Sequence, residues 1–66
     1  MEIIINGQRH QVPDEVSLAG AVLLVTAAAT GVAAALNGDV LRRAAWESTP
    51  LAAGDQVEVV TAVQGG

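Results

Sequence analysis

The side chains that most often carry catalysis are few in this chain of 66 residues and lie far apart. There is no cysteine and no lysine, which excludes thiolate nucleophiles, cysteine-based metal sites and Schiff-base chemistry. His10 is the only histidine, and in a predicted strand we expect it to be solvated rather than a metal ligand. Ser17, Ser48 and Thr49 have no histidine in a recognisable arrangement with them, so intrinsic catalysis is not expected.

The chemistry that remains is at the C-terminus, where Gly65 and Gly66 follow a predicted strand and end in a free α-carboxylate. Because glycine has no Cβ, such a tail can thread a narrow channel and adopt torsions closed to other residues. It can then present its carboxylate to the α-phosphate of ATP in a partner's active site. The product is an acyl-adenylate, which a sulfur or nitrogen nucleophile opens. The alternative interpretation is an ordinary frayed chain end.

Charge and composition limit the partners. Seven acidic residues against three basic ones give a net charge of -4, which disfavours nucleic acid because its phosphates would be repelled. An acidic module that docks on a basic patch of a partner fits better. The lack of cysteine and of a signal peptide predicts a cytoplasmic protein. Since so short a chain supports one thin core, we expect a single domain over residues 1–66 with a flexible tail at 64–66.

A stretch without charged residues, from Val16 to Gly38, raises the alternative of a membrane span. About 20 mostly apolar residues suffice for a spanning helix. This stretch, however, is rich in alanine, contains Gly20 and Gly31, and ends on the Asn37-Gly38 turn signal. No aromatic residue marks a membrane interface at either end. We therefore predict a helix and a strand separated by a breaker, and no membrane association.

The predicted fold that positions the tail begins with a β-hairpin. Met1–Asn6 is the first strand, because its consecutive isoleucines favour β-structure. Asn6-Gly7 is the strongest short hairpin signal, since both central residues of the turn need positive φ. Gln8–Val12 is the returning strand, and Pro13 closes it because proline cannot donate to a ladder.

One helix follows the hairpin. Ser17 is its predicted N-cap, with a hydroxyl that accepts from the backbone of the first turn. We expect the helix to fade between Ala27 and Thr30, with Gly31 as its terminator. The buried stripe is expected at the positions with helical spacing, which are Leu18, Ala21, Val22 and Val25.

Three further strands complete the prediction. They are Val32–Leu36, Val40–Leu41 after a tight turn at Asn37-Gly38-Asp39, and Gln56–Val63. Between the last two lie a polar, irregular or short helical segment, Arg42–Thr49, around Trp46, and a loop over Pro50–Asp55 with its turn at Gly54-Asp55. The order β-β-α-β-β-β predicts an α+β fold, with a mixed sheet of four to five strands and one helix packed across one face.

Alternation of side chains assigns the two faces of the first and last strands. The inward positions are Met1, Ile3 and Ile5 in the first strand and Val57, Val59 and Thr61 in the last. Glu2 and Glu58 mark the solvent face, and Ile4 and Val60 are apolar residues on that same face. Single exposed apolar residues are ordinary, and the alternative is a partner-docking patch beside the tail.

Several segments together resemble one family over essentially the whole chain. They are the opening strand into Asn6-Gly7, Val32–Gly38, Arg43–Trp46, and Gly54–Val60 ahead of Val63–Gly66. This pattern resembles the β-grasp, ubiquitin-like sulfur carriers of thiamin biosynthesis (the ThiS-like family). The related molybdopterin-synthase small subunits look similar in fold, but tend to be longer and to carry a proline-containing segment before their glycines. This chain has Ala62-Val63-Gln64 there.

The resemblance implies a carrier rather than an enzyme, with no cofactor bound by the chain itself. An E1-like adenylating partner would use ATP and Mg²⁺ to activate the carboxylate of Gly66. Sulfur from a cysteine-derived persulfide would convert it to a thiocarboxylate, and thiazole synthase would take that sulfur. Gly65 would supply clearance, and Val63 and Gln64 would lie in the partner's channel.

Two related functions remain as alternatives. The first is a sulfur carrier for another pathway, such as that of molybdopterin, because the chemistry at the tail is identical. The second is a ubiquitin-like modifier joined to protein amines. Neither changes the site residues, since Gly66 is the reactive residue in each. The docking face at Ile4 and Val60 comes from strand alternation and not from the resemblance.

Overall fold

The computed structural model describes residues 1–27 and 30–61. Its elements in chain order are β1 (Glu2–Ile5), β2 (Gln8–Gln11), α1 (Leu18–Leu23), β3 (Val32–Leu36), β4 (Asp39–Leu41), a 3₁₀ helix (Arg43–Ala45) and β5 (Gln56–Thr61). The predicted α+β order is confirmed. The final strand was predicted to run to Val63, and its last two positions lie outside the described residues.

The strands form one mixed sheet of five, in the order β2-β1-β5-β3-β4. β5 lies in the middle, parallel to β1 and antiparallel to β3. The outer strands β2 and β4 are each joined to their neighbour by a tight antiparallel hairpin. The last described strand is therefore the centre of the sheet.

Both hairpins turn on an Asn-Gly pair, as predicted. Asn6 and Gly7 have φ of 51° and 82°, and Asn37 and Gly38 have φ of 49° and 89°. These left-handed conformations match the twist of the flanking strands. Asparagine is one of the few residues with a side chain that adopts them readily.

The helix begins where predicted but is much shorter. The Ser17 hydroxyl accepts a hydrogen bond from the Gly20 amide at 3.3 Å, which confirms the N-cap. The helix ends at Leu23, so the expected end between Ala27 and Thr30 is wrong. Val25, predicted to be buried, is 40% exposed.

The early end has a physical cause. Most helix stability in a small protein comes from packing an apolar face, not from propensity. Leu18, Ala21 and Val22 are the buried residues of α1, whereas Leu23 and Leu24 are exposed. Because the chain past Val22 has little core to cover, helical spacing of apolar residues alone does not extend the helix.

The buried side chains of the described residues are all apolar. They are Ile3, Ile5, Val12, Leu18, Ala21, Val22, Ala34, Trp46, Leu51, Val57 and Val59. This core contains the inward positions predicted for the first and last strands except Met1, which is half-buried, and Thr61, which is exposed. Thr61 lies at the end of β5, where the register pairs it with β3 only.

The segment around Trp46 closes one side of the core. Its indole Nε1 donates to the Leu41 carbonyl at 2.9 Å, and the Arg43 guanidinium lies 5.4 Å from the ring centroid. The Leu18 amide donates to the Thr49 carbonyl at 2.9 Å, which ties this segment to the start of the helix. The predicted short helical region is thus confirmed and has a structural role.

The uncharged stretch from Val16 to Gly38 divides into α1 and β3, as predicted. Within residues 1–27 and 30–61, no helix combines the length and apolar content needed to cross a bilayer.

Replacement of Ile5 tests the assignment of the inner face. Ile5 is 1% exposed, so Ile5→Ala should lower the free energy of unfolding by about 2–5 kcal/mol through lost burial and a residual cavity. Ile4→Ala is the matched control on the same strand, and should cost less because Ile4 is only half-buried on the other face. Chemical denaturation measures both. Equal losses would contradict the assigned faces.

Candidate functional site

The predicted reactive residue Gly66 and its companions Gly65, Gln64 and Val63 lie outside the described residues, as does the tail predicted at 64–66. The structure describes the chain as far as Thr61, the last residue of β5. It therefore defines the strand from which the tail departs. The geometry of that strand and its surroundings is the described part of the candidate site.

β5 is held from both sides, but not to the same extent. On the β3 side its register runs from Leu36 opposite Val57 to Val32 opposite Thr61. On the β1 side the last backbone bond runs from the Asn6 amide to the Val57 carbonyl at 2.9 Å. Backbone pairing with β1 stops there because the chain turns at Asn6.

The side chain of Asn6 continues the pairing where the backbone of β1 stops. Its Oδ1 accepts a hydrogen bond from the Val59 amide at 2.9 Å, and its Nδ2 donates to the Val59 carbonyl at 3.2 Å. A carboxamide has the same donor and acceptor groups as a peptide unit, so it can replace one residue of a neighbouring strand. Val59 is thereby bound on the β1 side, close to the end of the described chain.

A second asparagine fixes the beginning of the same strand. The Asn37 amide donates to the Gln56 carbonyl at 2.8 Å, and the Gln56 amide donates to Asn37 Oδ1 at 3.0 Å. Asn37 Nδ2 also donates to Asp55 Oδ1 at 3.1 Å. The asparagines of the two Asn-Gly turns therefore hold opposite ends of β5. Sequence reasoning identified both residues as turn formers and missed these bonds.

An apolar patch lies on the open face of the sheet, opposite the helix. Val60 is 61% exposed and has Ala33 directly across from it on β3. Ala35 lies on the same face and pairs with Val40, which is 76% exposed. These four residues, Ala33, Ala35, Val40 and Val60, form the Val60 patch. The exposed Glu58, opposite Ala35, adds a negative charge to it.

The structure places Ile4 and Val60 on the same open face, as predicted, but does not bring them together. Ile4 is half-buried and pairs with Arg9 and Gln56. Val60 lies four residues beyond Gln56, roughly 13 Å along the strand at about 3.3 Å per residue. The apolar neighbours of Val60 come from β3 and β4 instead. They depend on the register of distant strands, which local alternation does not specify.

The remaining polar side chains form no second site among the described residues. His10 is half-buried, and its Nε2 has no hydrogen-bond partner within the described chain, so the expected solvated histidine is not observed. Asp14 forms an ion pair with the N-terminal ammonium at 3.1 Å. Over residues 1–27 and 30–61, no group of three or more His, Asp or Glu side chains lies close enough to hold a metal ion.

Comparison with known proteins gives a family and a similar solved structure. The model of the ThiS family matches residues 3–66. A crystal structure described as thiamine biosynthesis protein (ThiS) from Geobacter metallireducens is 32% identical, covers 100% of both chains and superposes with a TM-score of 0.82. No curated protein matches at a significant level. The shared architecture is the β-grasp fold, which confirms the predicted fold class.

Proposed function

Because this chain belongs to the ThiS family, we propose that it is a sulfur carrier of thiamin biosynthesis and not an enzyme. The observation that carries the proposal is the position of Gly65-Gly66, which follow the central strand of a β-grasp sheet within five residues of Thr61. The similar protein from Geobacter metallireducens is described as a thiamine biosynthesis protein, which also supports it. The proposal includes a cytoplasmic location, where thiols are kept reduced.

The reaction begins at the terminal carboxylate. A carboxylate oxygen of Gly66 attacks the α-phosphate of ATP, bound with Mg²⁺ in an E1-like adenylating enzyme, and pyrophosphate leaves. The terminal sulfur of a cysteine-derived persulfide then attacks the carbonyl carbon of the acyl-adenylate, and AMP leaves. A thiol cleaves the resulting acyl disulfide, which leaves a thiocarboxylate on Gly66 and a disulfide on the donor. Thiazole synthase is the acceptor of that sulfur.

The chain contributes the reacting carboxylate of Gly66 and the residues that carry it into the partner's active site. Gly65 lacks a Cβ and leaves room for the adjoining backbone in a narrow channel, while Gln64 and Val63 occupy the channel's outer part. Five residues follow Thr61, and at about 3.3–3.6 Å each they span at most ~18 Å. The partner's active site must therefore lie within that distance of the end of β5, so the partner contacts the sheet around Thr61.

We assign this contact to the Val60 patch. Val60 immediately precedes Thr61, where β5 ends, and its exposed side chain lies opposite Ala33 on β3. Exposed carboxylates such as Glu58 and a net charge of -4 favour a partner surface that is apolar at its centre and basic at its edge. Ile4, on the same face but about 13 Å away at ~3.3 Å per residue, is the far end of this docking surface.

A charge at Val60 tests the docking surface. Val60→Asp should raise the Kd for the adenylating enzyme on the order of tenfold or more, because a carboxylate would be buried against an apolar surface. It should lower the free energy of unfolding by only about 1 kcal/mol, the cost of an aspartate in place of valine in a strand, since Val60 is 61% exposed. The matched control is Leu23→Asp, at a 71% exposed apolar residue on the helix. Isothermal titration calorimetry measures both, and equal effects would contradict the assignment.

Intact-mass spectrometry tests the proposed reaction. The chain is incubated with the adenylating enzyme, ATP, Mg²⁺, a persulfide donor and a thiol, with ATP omitted as the control. The expected result is an ATP-dependent mass gain equal to the difference between sulfur and oxygen, located on the C-terminal peptide. Adding thiazole synthase and its other substrates should restore the carboxylate mass. Failure to gain sulfur would overturn the carrier proposal, and failure of thiazole synthase alone would favour another sulfur pathway.

A further inference from the structure

We propose that Asn6 is a positioning residue for the C-terminal tail, because its side chain binds Val59 and holds the exit end of β5 in place. The hydrogen bonds of Asn6 to Val59 support the restraint on β5. The benefit to the tail rests on the proposed carrier function. The Val59 amide donates to Asn6 Oδ1 at 2.9 Å, and Asn6 Nδ2 donates to the Val59 carbonyl at 3.2 Å. We call these two hydrogen bonds the Asn6 clamp.

The clamp occupies a place that the backbone of β1 leaves empty. β1 ends at Ile5, and its final backbone bond to β5 is made by the Asn6 amide to Val57. Without the Asn6 side chain, the Val59 amide and carbonyl would lose their partners on the β1 side. The end of β5 would then be held by β3 alone, through the pairs that end with Val32 and Thr61.

The consequence for the tail is a matter of conformational entropy. A carrier tail must present one atom inside a partner's site, and each residue that is ordered only on binding weakens that binding. With the clamp in place, Val59 is fixed in the free protein and fewer residues need to be ordered. Loosening it lengthens the segment that must be ordered and lets its direction vary.

The second Asn-Gly turn provides a matched control within the same chain. Like Asn6, Asn37 has positive φ and precedes a glycine. Its carboxamide also forms two hydrogen bonds, one with the first residue of β5 and one with the residue before it. Its partners are Gln56 and Asp55, at the entry end of the strand. Asn37→Gly therefore removes a comparable pair of bonds without touching the exit end. Glycine tolerates both turn conformations, so the hairpins are retained.

Hydrogen exchange of the free protein tests the clamp itself. Asn6→Gly should speed exchange of the Val59 amide on the order of tenfold, because that proton loses its acceptor, and should leave the Gln56 amide unchanged. Asn37→Gly should do the reverse. Asn6→Asp keeps the turn and the acceptor but loses the donor, so its Val59 exchange should be intermediate. Unchanged Val59 exchange in Asn6→Gly would overturn the clamp.

Adenylation kinetics then test the positioning role. With the carrier as the varied substrate, Asn6→Gly should raise KM roughly three- to tenfold while kcat changes by less than about twofold. The reason is that ordering the loosened end of β5 reduces the free energy of binding and not the rate of the bound complex. Asn37→Gly should keep the wild-type KM at a similar loss of melting temperature. Across wild type, Asn6→Asp and Asn6→Gly, KM should rise in the same order as the Val59 exchange rate.

The outcomes separate the clamp from the function on which it rests. A normal KM for Asn6→Gly, or an equal rise for Asn37→Gly, would overturn the positioning role and leave the carrier function intact. A wild-type chain that is not adenylated at all would overturn the proposed function and the tail's role together. The exchange data, obtained without any partner, would still report whether Asn6 holds Val59.

Discussion

The pairing of β5 on both sides is the constraint on which the rest of the structure depends. β5 lies between a parallel and an antiparallel neighbour, and Val57 and Val59 supply its buried face. The turns at Asn6 and Asn37 end the two flanking strands, and their side chains bind the exit and the entry of β5. A central strand paired on both sides, which ends five residues before Gly66, suits the proposed role of presenting one reactive carboxylate to a partner.

The buried residues of the described chain lie in segments up to Val59, with Ile3, Ile5, Leu18 and Val57 among the most deeply buried. Among the described residues the buried residues are all apolar, and no group of His, Asp and Glu side chains could hold a metal ion. The lack of cysteine fits the proposed chemistry, because the sulfur must then arrive from a partner.

Much of the fold was predictable from short-range signals. The Asn-Gly turns, the Ser17 cap and the burial of Ile3 and Ile5 follow from local conformational preferences and strand alternation, and all are confirmed. The helix end was not predictable, since Val25 has helical spacing but no core to cover. The Val60 patch and the bonds of Asn6 join residues far apart in the chain, so they depend on a register that a sequence pattern does not contain.

A chain lacking Gly65 and Gly66 tests most directly the claim that fold and reactivity are separate. Its unfolding free energy should equal that of the full chain, since every buried residue of the described chain lies at or before Val59. Its pyrophosphate exchange with the adenylating enzyme and ATP should fall to background, since the reacting carboxylate would no longer reach the α-phosphate. A truncated chain that still supports exchange, or that no longer folds, would contradict the account.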